Sequence, residues 1–155
     1  MEKEIPLGLR FSLLHRSFRR RMDQLLREKD LTGVQFGVLC ALKRLEQERA
    51  GEIHQKDLEQ LTRVTHPTMT DILRRLEKKE LISCQASQLD RRSKRVCSTE
   101  KAVSFLREMD QLEQETFQWL CRGMTPEQVE TLMRLTDQML RNATEDYEKG
   151  SDAKL

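Results

Sequence analysis

Residues 55–82 read QKDLEQLTRVTHPTMTDILRRLEKKELI, and the architecture of the chain can be worked out from them. In the second half, apolar residues recur at three- and four-residue steps, which predicts a helix over about 66–79 with one buried face. These inward residues are Met69, Ile72, Leu73 and Leu76. Pro67 suits the first turn of this helix, where a missing N–H costs little. A short helix over 55–61 and a polar break at Thr62-Arg63 come before it, so the segment predicts a helix-turn-helix unit.

A basic hairpin follows the second helix of this unit. Residues 83–99 read SCQASQLDRRSKRVCST, and two short strand-like pieces, 81–85 and 94–98, lie on either side of the cationic tip. A two-stranded hairpin in this position is a wing, whose cations can reach a DNA backbone or a minor groove. The pattern therefore predicts a winged helix-turn-helix.

Helical periodicity also dominates both flanks. A first helix is predicted from about 7 to 29, and a second begins at Thr32, which has capping-box spacing with Gln35. A long helix is predicted up to Leu120, and a last helix begins with the capping-box spacing of Thr125 and Gln128. The predicted fold class is mostly α with a small two- to three-stranded β wing, a winged helix-turn-helix with a helical dimerisation region.

The predicted organisation has three parts. Residues 1–31 and 99–148 form the helical dimerisation region, 32–98 form the winged helix-turn-helix lobe, and 149–155 form a flexible tail. A homodimer is predicted because the flanking helices carry more apolar surface than one small lobe can bury. The apolar residues assigned to this interface are Met109, Phe117, Trp119, Leu120, Leu132 and Met139.

Composition excludes several classes of protein. The net charge is only +2, but the front and middle of the chain are basic and the tail is acidic, which suggests that one face meets an anion. No apolar run is long enough for a membrane helix, so we expect a cytoplasmic protein without a membrane partner. The sequence shows no nucleophile motif, no Gly-rich phosphate loop and no metal-ligand spacing, so we expect no enzyme activity, no metal and no cofactor.

At this point the chain resembles the MarR (multiple antibiotic resistance regulator) family of bacterial transcription factors. Residues 55–82 resemble the helix-turn-helix of that family, and LDRRSKRVCSTEKA, residues 89–102, resembles its wing. The resemblance implies a DNA-binding regulator, expected to be a repressor, that binds an inverted-repeat operator as a homodimer. It also implies that a small aromatic or anionic effector relieves the binding.

The recognition helix and its surroundings supply most of the predicted DNA contacts. Thr65 or His66 is expected to cap this helix, whose N-terminal residues enter the major groove. His66, Thr68 and Thr70 are the candidates for base edges or nearby phosphates. Arg74 and Arg75 are candidates for phosphates, where they would position the protein without reading sequence. Lys56, near the start of the preceding helix, is a further phosphate candidate.

The wing supplies the other predicted DNA contacts, and the first helix supplies the candidates for effector binding. The resemblance implies that Arg92 enters the minor groove and that Asp90 braces it, with phosphate contacts added by Arg91 and Lys94. In this family, effectors commonly bind between the dimerisation helices and the lobe. His15 or Arg19 is therefore a candidate to pair with a carboxylate of the effector, although an exposed cationic stripe explains both residues as well.

The sequence departs from the family pattern at three positions. Arg63 stands in the turn and Glu80 at the end of the recognition helix, where many relatives have the glycine that positive φ favours. Asp71 stands on the recognition helix where relatives often carry Arg. Its carboxylate is expected either to pair with Arg74 or Arg75 or to accept from a cytosine amino group.

Two other functions stay open on sequence alone. The first is redox sensing by cysteine, since Cys84 and Cys97 lie on opposite strands of the wing and a sensing thiol must be exposed and stabilised by cations. The second is a helical scaffold protein that binds no DNA.

Overall fold

The computed structural model describes residues 5–87 and 94–152, with side chains as far as residue 144. Within these ranges the chain forms six helices and one two-stranded antiparallel sheet. In chain order they are α1 (Leu7–Glu28), α2 (Gly33–Glu48), α3 (Gln55–Thr62), α4 (His66–Lys78), β1 (Ile82–Ala86), β2 (Lys94–Ser98), α5 (Glu100–Leu120) and α6 (Pro126–Asp152). This order confirms the predicted fold class, a mostly α winged helix with a small β wing.

The chain divides into two compact units, with the boundary inside α5 between Thr116 and Phe117. The core of the first unit joins one face of each of its helices to the base of the wing. Its most deeply buried large side chains are Val38, Leu39, Leu42, Leu58, Met69, Leu76 and Met109. The sequence-based division into a dimerisation region, a lobe and a tail stays a prediction.

The position of Met109 corrects one prediction. The sequence pattern assigns this residue to the dimer interface, but only 1% of its surface is exposed, and it packs in the core of the first unit. Phe105 and Leu106 of α5 lie in the same core. Apolar periodicity marks a buried helix face but does not say whether the same chain or a second one covers it.

Helix starts follow the capping chemistry of the sequence. The Gln35 N–H donates to Thr32 Oγ1 at 3.2 Å, and the Thr32 N–H donates to Gln35 Oε1 at 3.0 Å. In the second unit, the Thr125 N–H donates to Gln128 Oε1 at 2.8 Å, and the Gln128 N–H donates to Thr125 Oγ1 at 3.3 Å. Both predicted capping boxes are confirmed, and they fix where α2 and α6 begin.

The wing is held by the segment that precedes α3. β1 and β2 pair from Ile82–Ser98 to Ala86–Lys94, and an isolated bridge adds His54 opposite Arg95. The Val96 N–H also donates to the Ile53 carbonyl at 2.7 Å. The link before α3 therefore runs along β2 and fixes the base of the wing to the first unit.

Candidate DNA-binding interface

The outward face of α4 presents the side chains that the sequence singled out. Met69, Ile72, Leu73 and Leu76 are buried, which turns the opposite face of the helix to solvent. On that face His66, Thr68, Thr70, Arg74 and Arg75 are all exposed. The helix thus groups a polar first turn and a cationic second half on one accessible surface.

The first turn of α4 differs in detail from the predicted cap. Thr65 occupies the N-cap position with extended backbone angles, but within the described residues its side chain caps no backbone N–H. Its hydroxyl instead lies 2.9 Å from the hydroxyl of Thr68. The expectation that Thr65 or His66 caps the helix is therefore right for the backbone position of Thr65 and wrong for its side chain.

A polar network joins α3 to the first turn of α4. His66 Nδ1 lies 2.7 Å from Glu59 Oε1. Gln55 Nε2 donates to Glu59 Oε1 and to Thr70 Oγ1, both at 2.8 Å, and lies 3.2 Å from the His66 carbonyl. Thr70 Oγ1 in turn donates to that carbonyl at 3.0 Å. Sequence reasoning missed Gln55 and Glu59, although their four-residue spacing put them on one face of a helix.

Asp71 ties down the two arginines of α4. Its carboxylate accepts from Arg74 Nη2 and from Arg75 Nε, each at 2.7 Å. The hydrogen bond from Arg74 and the positive charge of Arg75 hold the pKa of Asp71 below its ordinary value. Of the two roles predicted for Asp71, the structure shows pairing, and with both arginines at once.

The two positions where relatives have glycine keep left-handed backbones here. Arg63 in the turn has φ 55°, and Glu80 after α4 has φ 60°. At the second site the Leu81 N–H donates to the Leu76 carbonyl at 3.0 Å and the Glu80 N–H to the Glu77 carbonyl at 2.9 Å, which is a Schellman motif. The left-handed geometry that favours glycine is therefore kept at both positions, where a residue with a Cβ carries some strain.

Four residues of the wing are predicted to take part in DNA binding, and the described part of the wing includes one of them. Lys94 is exposed at the start of β2, and its carbonyl accepts a hydrogen bond from His54 Nδ1 at 3.0 Å. Asp90, Arg91 and Arg92 lie outside the described residues. Lys56 is exposed on α3.

Comparison with known proteins identifies the family of the segment that contains the recognition helix. A sequence model described as the MarR family matches residues 29–93, which include α2, α3, α4 and β1. This segment is a MarR-family domain. The resemblance found in the sequence is confirmed, and the MarR family consists of transcription regulators, not enzymes.

Solved structures are similar in fold to most of the chain. S. aureus MepR in a complex with DNA is 25% identical, with 86% of this chain and 96% of that chain covered at a TM-score of 0.71. S. aureus MepR bound to ethidium bromide is 24% identical; the match covers 90% of this chain and 98% of that chain, with a TM-score of 0.67. MarR is 23% identical; the match covers 91% of this chain and 99% of that chain, with a TM-score of 0.65. The fold that this chain shares with these proteins therefore extends to the flanking helices.

The two effector candidates on α1 lie apart from two cavities of the first unit. His15 is exposed, and Arg19 pairs with Asp23 one turn further along at 3.3 Å. A cavity of about 340 Å³ lies between the C-terminal half of α1 and α5, and one of about 380 Å³ lies where α1, α4 and α5 meet. Neither cavity is lined by His15 or Arg19, so their role in a MarR-family effector site stays a prediction.

The structure places the two wing cysteines on opposite faces of the ribbon. Cys84 pairs with Val96 and Cys97 pairs with Ser83, and side chains of successive strand residues point to opposite sides. Burial and the negative charge of Glu77 raise the pKa of the Cys84 thiol. Both observations count against redox sensing at this pair, because a sensing thiol needs a stabilised thiolate.

Among the described residues, no helix is long and apolar enough to cross a membrane.

Proposed function

We propose that this chain is a transcription repressor that binds an inverted-repeat operator in double-stranded DNA as a homodimer and is released by a small-molecule effector. The observation that carries the proposal is the outward face of α4, which groups His66, Thr68 and Thr70 with two arginines opposite a fully apolar inner face. A helix with this division suits a major groove, where its N-terminal residues meet base edges.

Two kinds of contact follow from positions along α4. The hydroxyls of Thr68 and Thr70 and the ring of His66 belong to the N-terminal half and suit base edges. Arg74 and Arg75 come later and suit phosphates, which position a protein without specifying sequence. In the free protein Asp71 holds both guanidinium groups, so DNA competes with this carboxylate for them.

The wing supplies the second proposed contact. By resemblance, Arg92 enters the minor groove, Asp90 braces it, and Arg91 and Lys94 hold phosphates. The His54 and Ile53 hydrogen bonds support this role, because they attach the start of β2 to the same link that leads into α3. The start of β2 is therefore held in a fixed position relative to α3 and the recognition helix.

Exposed apolar side chains support the homodimer. α1 carries Leu7, Leu9, Phe11, Leu13 and Leu14, each at least 40% exposed. In the second unit α6 carries Leu132, Met133, Leu135, Met139 and Leu140, each at least 39% exposed. Apolar surface of this extent on long helices needs a partner, and a second copy of the chain supplies matching helices.

The cavity at the junction of α1, α4 and α5 supports the effector. Its lining includes the apolar side chains of Leu31, Leu81 and Phe105 together with Glu108 and three lysines, Lys29, Lys79 and Lys101. The lysines pair with Glu108, Asp30 and Glu80 respectively, so a small aromatic carboxylate would compete with these side chains for the ammonium groups. Because Lys79 follows α4 directly, a ligand there acts on the recognition helix if it prefers one arrangement of these helices over another.

Benzoate and its uncharged analogue benzamide test this site. We expect benzoate at millimolar concentration to weaken DNA binding, benzamide to have little effect, and Lys101→Gln to reduce the benzoate effect. Equal effects of both compounds would exclude the lysine cavity as the effector site.

Because its proposed partner is genomic DNA, the protein is also proposed to be cytoplasmic.

The proposal is tested by binding to labelled genomic duplex fragments in competition with the separated single strands of the same fragments. We expect the duplex to compete strongly and the single strands weakly, with affinity that falls as salt rises. A scaffold protein would show no salt-dependent binding to either form.

A further inference from the structure

The contacts between α3 and α4 fix which hydrogen-bonding groups Thr70 and His66 have left for a partner. We propose that Gln55 makes the Thr70 hydroxyl an acceptor on its outward side and that Glu59 does the same for the neutral ring of His66, so that the DNA bases they read are those with an amino group, adenine or cytosine. This inference rests on the proposed function and specifies which bases the recognition helix selects.

The orientation of the Gln55 amide follows from its neighbours. Its Nε2 lies 2.8 Å from Glu59 Oε1 and 3.2 Å from the His66 carbonyl oxygen. A carboxylate and a carbonyl can only accept, so the group that faces them must be the NH₂ and not the amide oxygen. The same NH₂ lies 2.8 Å from Thr70 Oγ1 and cannot accept from it, so Gln55 donates to the Thr70 hydroxyl.

The Thr70 hydroxyl then has one group left. It uses one lone pair to accept from Gln55 and its single proton to donate to the His66 carbonyl at 3.0 Å. A hydroxyl has one proton and two lone pairs, so a lone pair remains. Thr70 is exposed, so this lone pair is available to a donor outside the protein.

Glu59 has the corresponding effect on His66. Because a carboxylate only accepts, the shorter contact of 2.7 Å with Glu59 requires a proton on His66 Nδ1, which then cannot accept from Gln55 Nε2 at 3.2 Å. In the neutral ring, the other nitrogen, Nε2, is then an acceptor. The side chain is 75% exposed, which leaves Nε2 accessible.

In the major groove the donors are the N6 amino group of adenine and the N4 amino group of cytosine, whereas guanine and thymine present oxygen acceptors at the corresponding place. A side chain restricted to accepting therefore prefers adenine or cytosine on the strand that it faces. By contrast, among the described residues the Thr65 and Thr68 hydroxyls hydrogen-bond only to each other, at 2.9 Å, so one proton of that pair stays free to donate. The restriction to accepting therefore applies to Thr70 and to the neutral ring of His66, and not to Thr68.

The test is selection of bound DNA from a randomised duplex library, with the bound fraction sequenced for each variant. Thr70→Val keeps the shape but removes the hydroxyl, so the base position whose preference it abolishes is the position that Thr70 reads. We expect wild type to prefer adenine or cytosine there. Gln55→Met removes the donor that fixes the hydroxyl and should lower that preference about two- to tenfold. Gln60→Met, an exposed glutamine on the same helix, is the matched control and should leave it unchanged.

His66 is tested in the same selection with Glu59→Gln, because an amide can accept from Nδ1 or donate to it and no longer fixes the tautomer. We expect a weaker preference for adenine or cytosine at the position that His66→Ala identifies. Guanine or thymine at the Thr70 position in wild type, an unchanged preference in Gln55→Met, or no position affected by Thr70→Val would overturn the inference while the proposed function stands. A library from which wild type retains no DNA would overturn both.

Discussion

Arg63 shows at the scale of a single residue how this chain tolerates a costly backbone. Its φ of 55° lies in the left-handed region, which favours glycine, and it stands in the turn between α3 and α4. Arg63→Gly should therefore raise the free energy of unfolding by about 0.5–1 kcal/mol, since relief of strain exceeds the added entropy of the unfolded chain. Chemical denaturation measures this change.

Arg63→Ala is the control for that prediction. Alanine removes the same side chain but keeps the Cβ, so it should give no comparable stabilisation. If alanine stabilises as much as glycine, the effect comes from loss of the charged side chain and the backbone is not strained.

At the same scale, the sequence predicted which residues face outward but not what they contact. The spacing of Met69, Ile72, Leu73 and Leu76 is enough to turn Thr68 and Thr70 to the surface. The roles of Gln55 and Glu59 depend on how α3 packs against α4, and helical spacing inside one element carries no such information. The side chain of Thr65 differs from the prediction because the hydroxyl of Thr68 lies within its reach.

At the scale of elements, the start of α3 depends on Asp57. Its Oδ2 accepts from the His54 N–H at 2.8 Å, and its Oδ1 accepts from Arg49 at 2.6 Å. Burial alone would raise the pKa of Asp57, but the His54 hydrogen bond and the Arg49 pair hold this pKa below its ordinary value of 3.8. The ionised carboxylate is therefore the form that stabilises the folded chain.

The contribution of Asp57 to the free energy of unfolding is therefore expected to decrease at acidic pH. A carboxyl group whose pKa is lower in the folded state stabilises it above the unfolded pKa, and this contribution is lost as pH falls through the folded value. Asp57→Asn should cost about 1 kcal/mol of unfolding free energy near neutral pH, and the difference from wild type should shrink toward about pH 3. Denaturation at both pH values measures it, and a difference that stays constant would contradict the role of the charge.

The arginines of α4 give the second prediction at the element scale. Asp71→Asn removes the carboxylate that holds Arg74 and Arg75, so both guanidinium groups become available to phosphates. DNA binding should tighten, and the slope of log affinity against log salt should steepen by about one for each additional phosphate that the protein neutralises. Weaker binding that is confined to sites with one particular base would instead show that Asp71 reads a cytosine amino group.

Element boundaries were largely predictable because capping residues and apolar periodicity are local signals. Thr32 with Gln35 and Thr125 with Gln128 mark helix starts that the structure confirms. The partner of an apolar face is a non-local property, which explains why the sequence pattern assigns Met109 to a dimer interface although the first unit buries it.

At the scale of the whole molecule, the proposed dimer depends on the exposed apolar residues of α1 and α6. Leu135→Glu places a charge among the exposed apolar residues of α6 and changes none of the residues proposed to contact DNA. We expect wild type to sediment as a dimer at micromolar concentration and Leu135→Glu to shift toward the monomer and lose affinity for an inverted repeat. Gln138→Glu on the same helix adds the same charge at a polar position and should remain dimeric. A wild type that is monomeric under these conditions would refute the dimer.

The central claim is that the N-terminal half of the outward face of α4 contacts base edges, whereas Arg74 and Arg75 contact phosphates. The most direct measurement is DNA affinity at several salt concentrations, for one selected duplex and its single-base variants, with Thr68→Val compared to the double variant Arg74→Ala, Arg75→Ala. The double variant should weaken binding to all duplexes similarly and reduce the magnitude of the salt slope by about two per recognition helix. Thr68→Val should cost about 1–3 kcal/mol at a few base positions with an unchanged slope. Base-specific losses from the arginines, or a changed slope from Thr68→Val, would contradict the account.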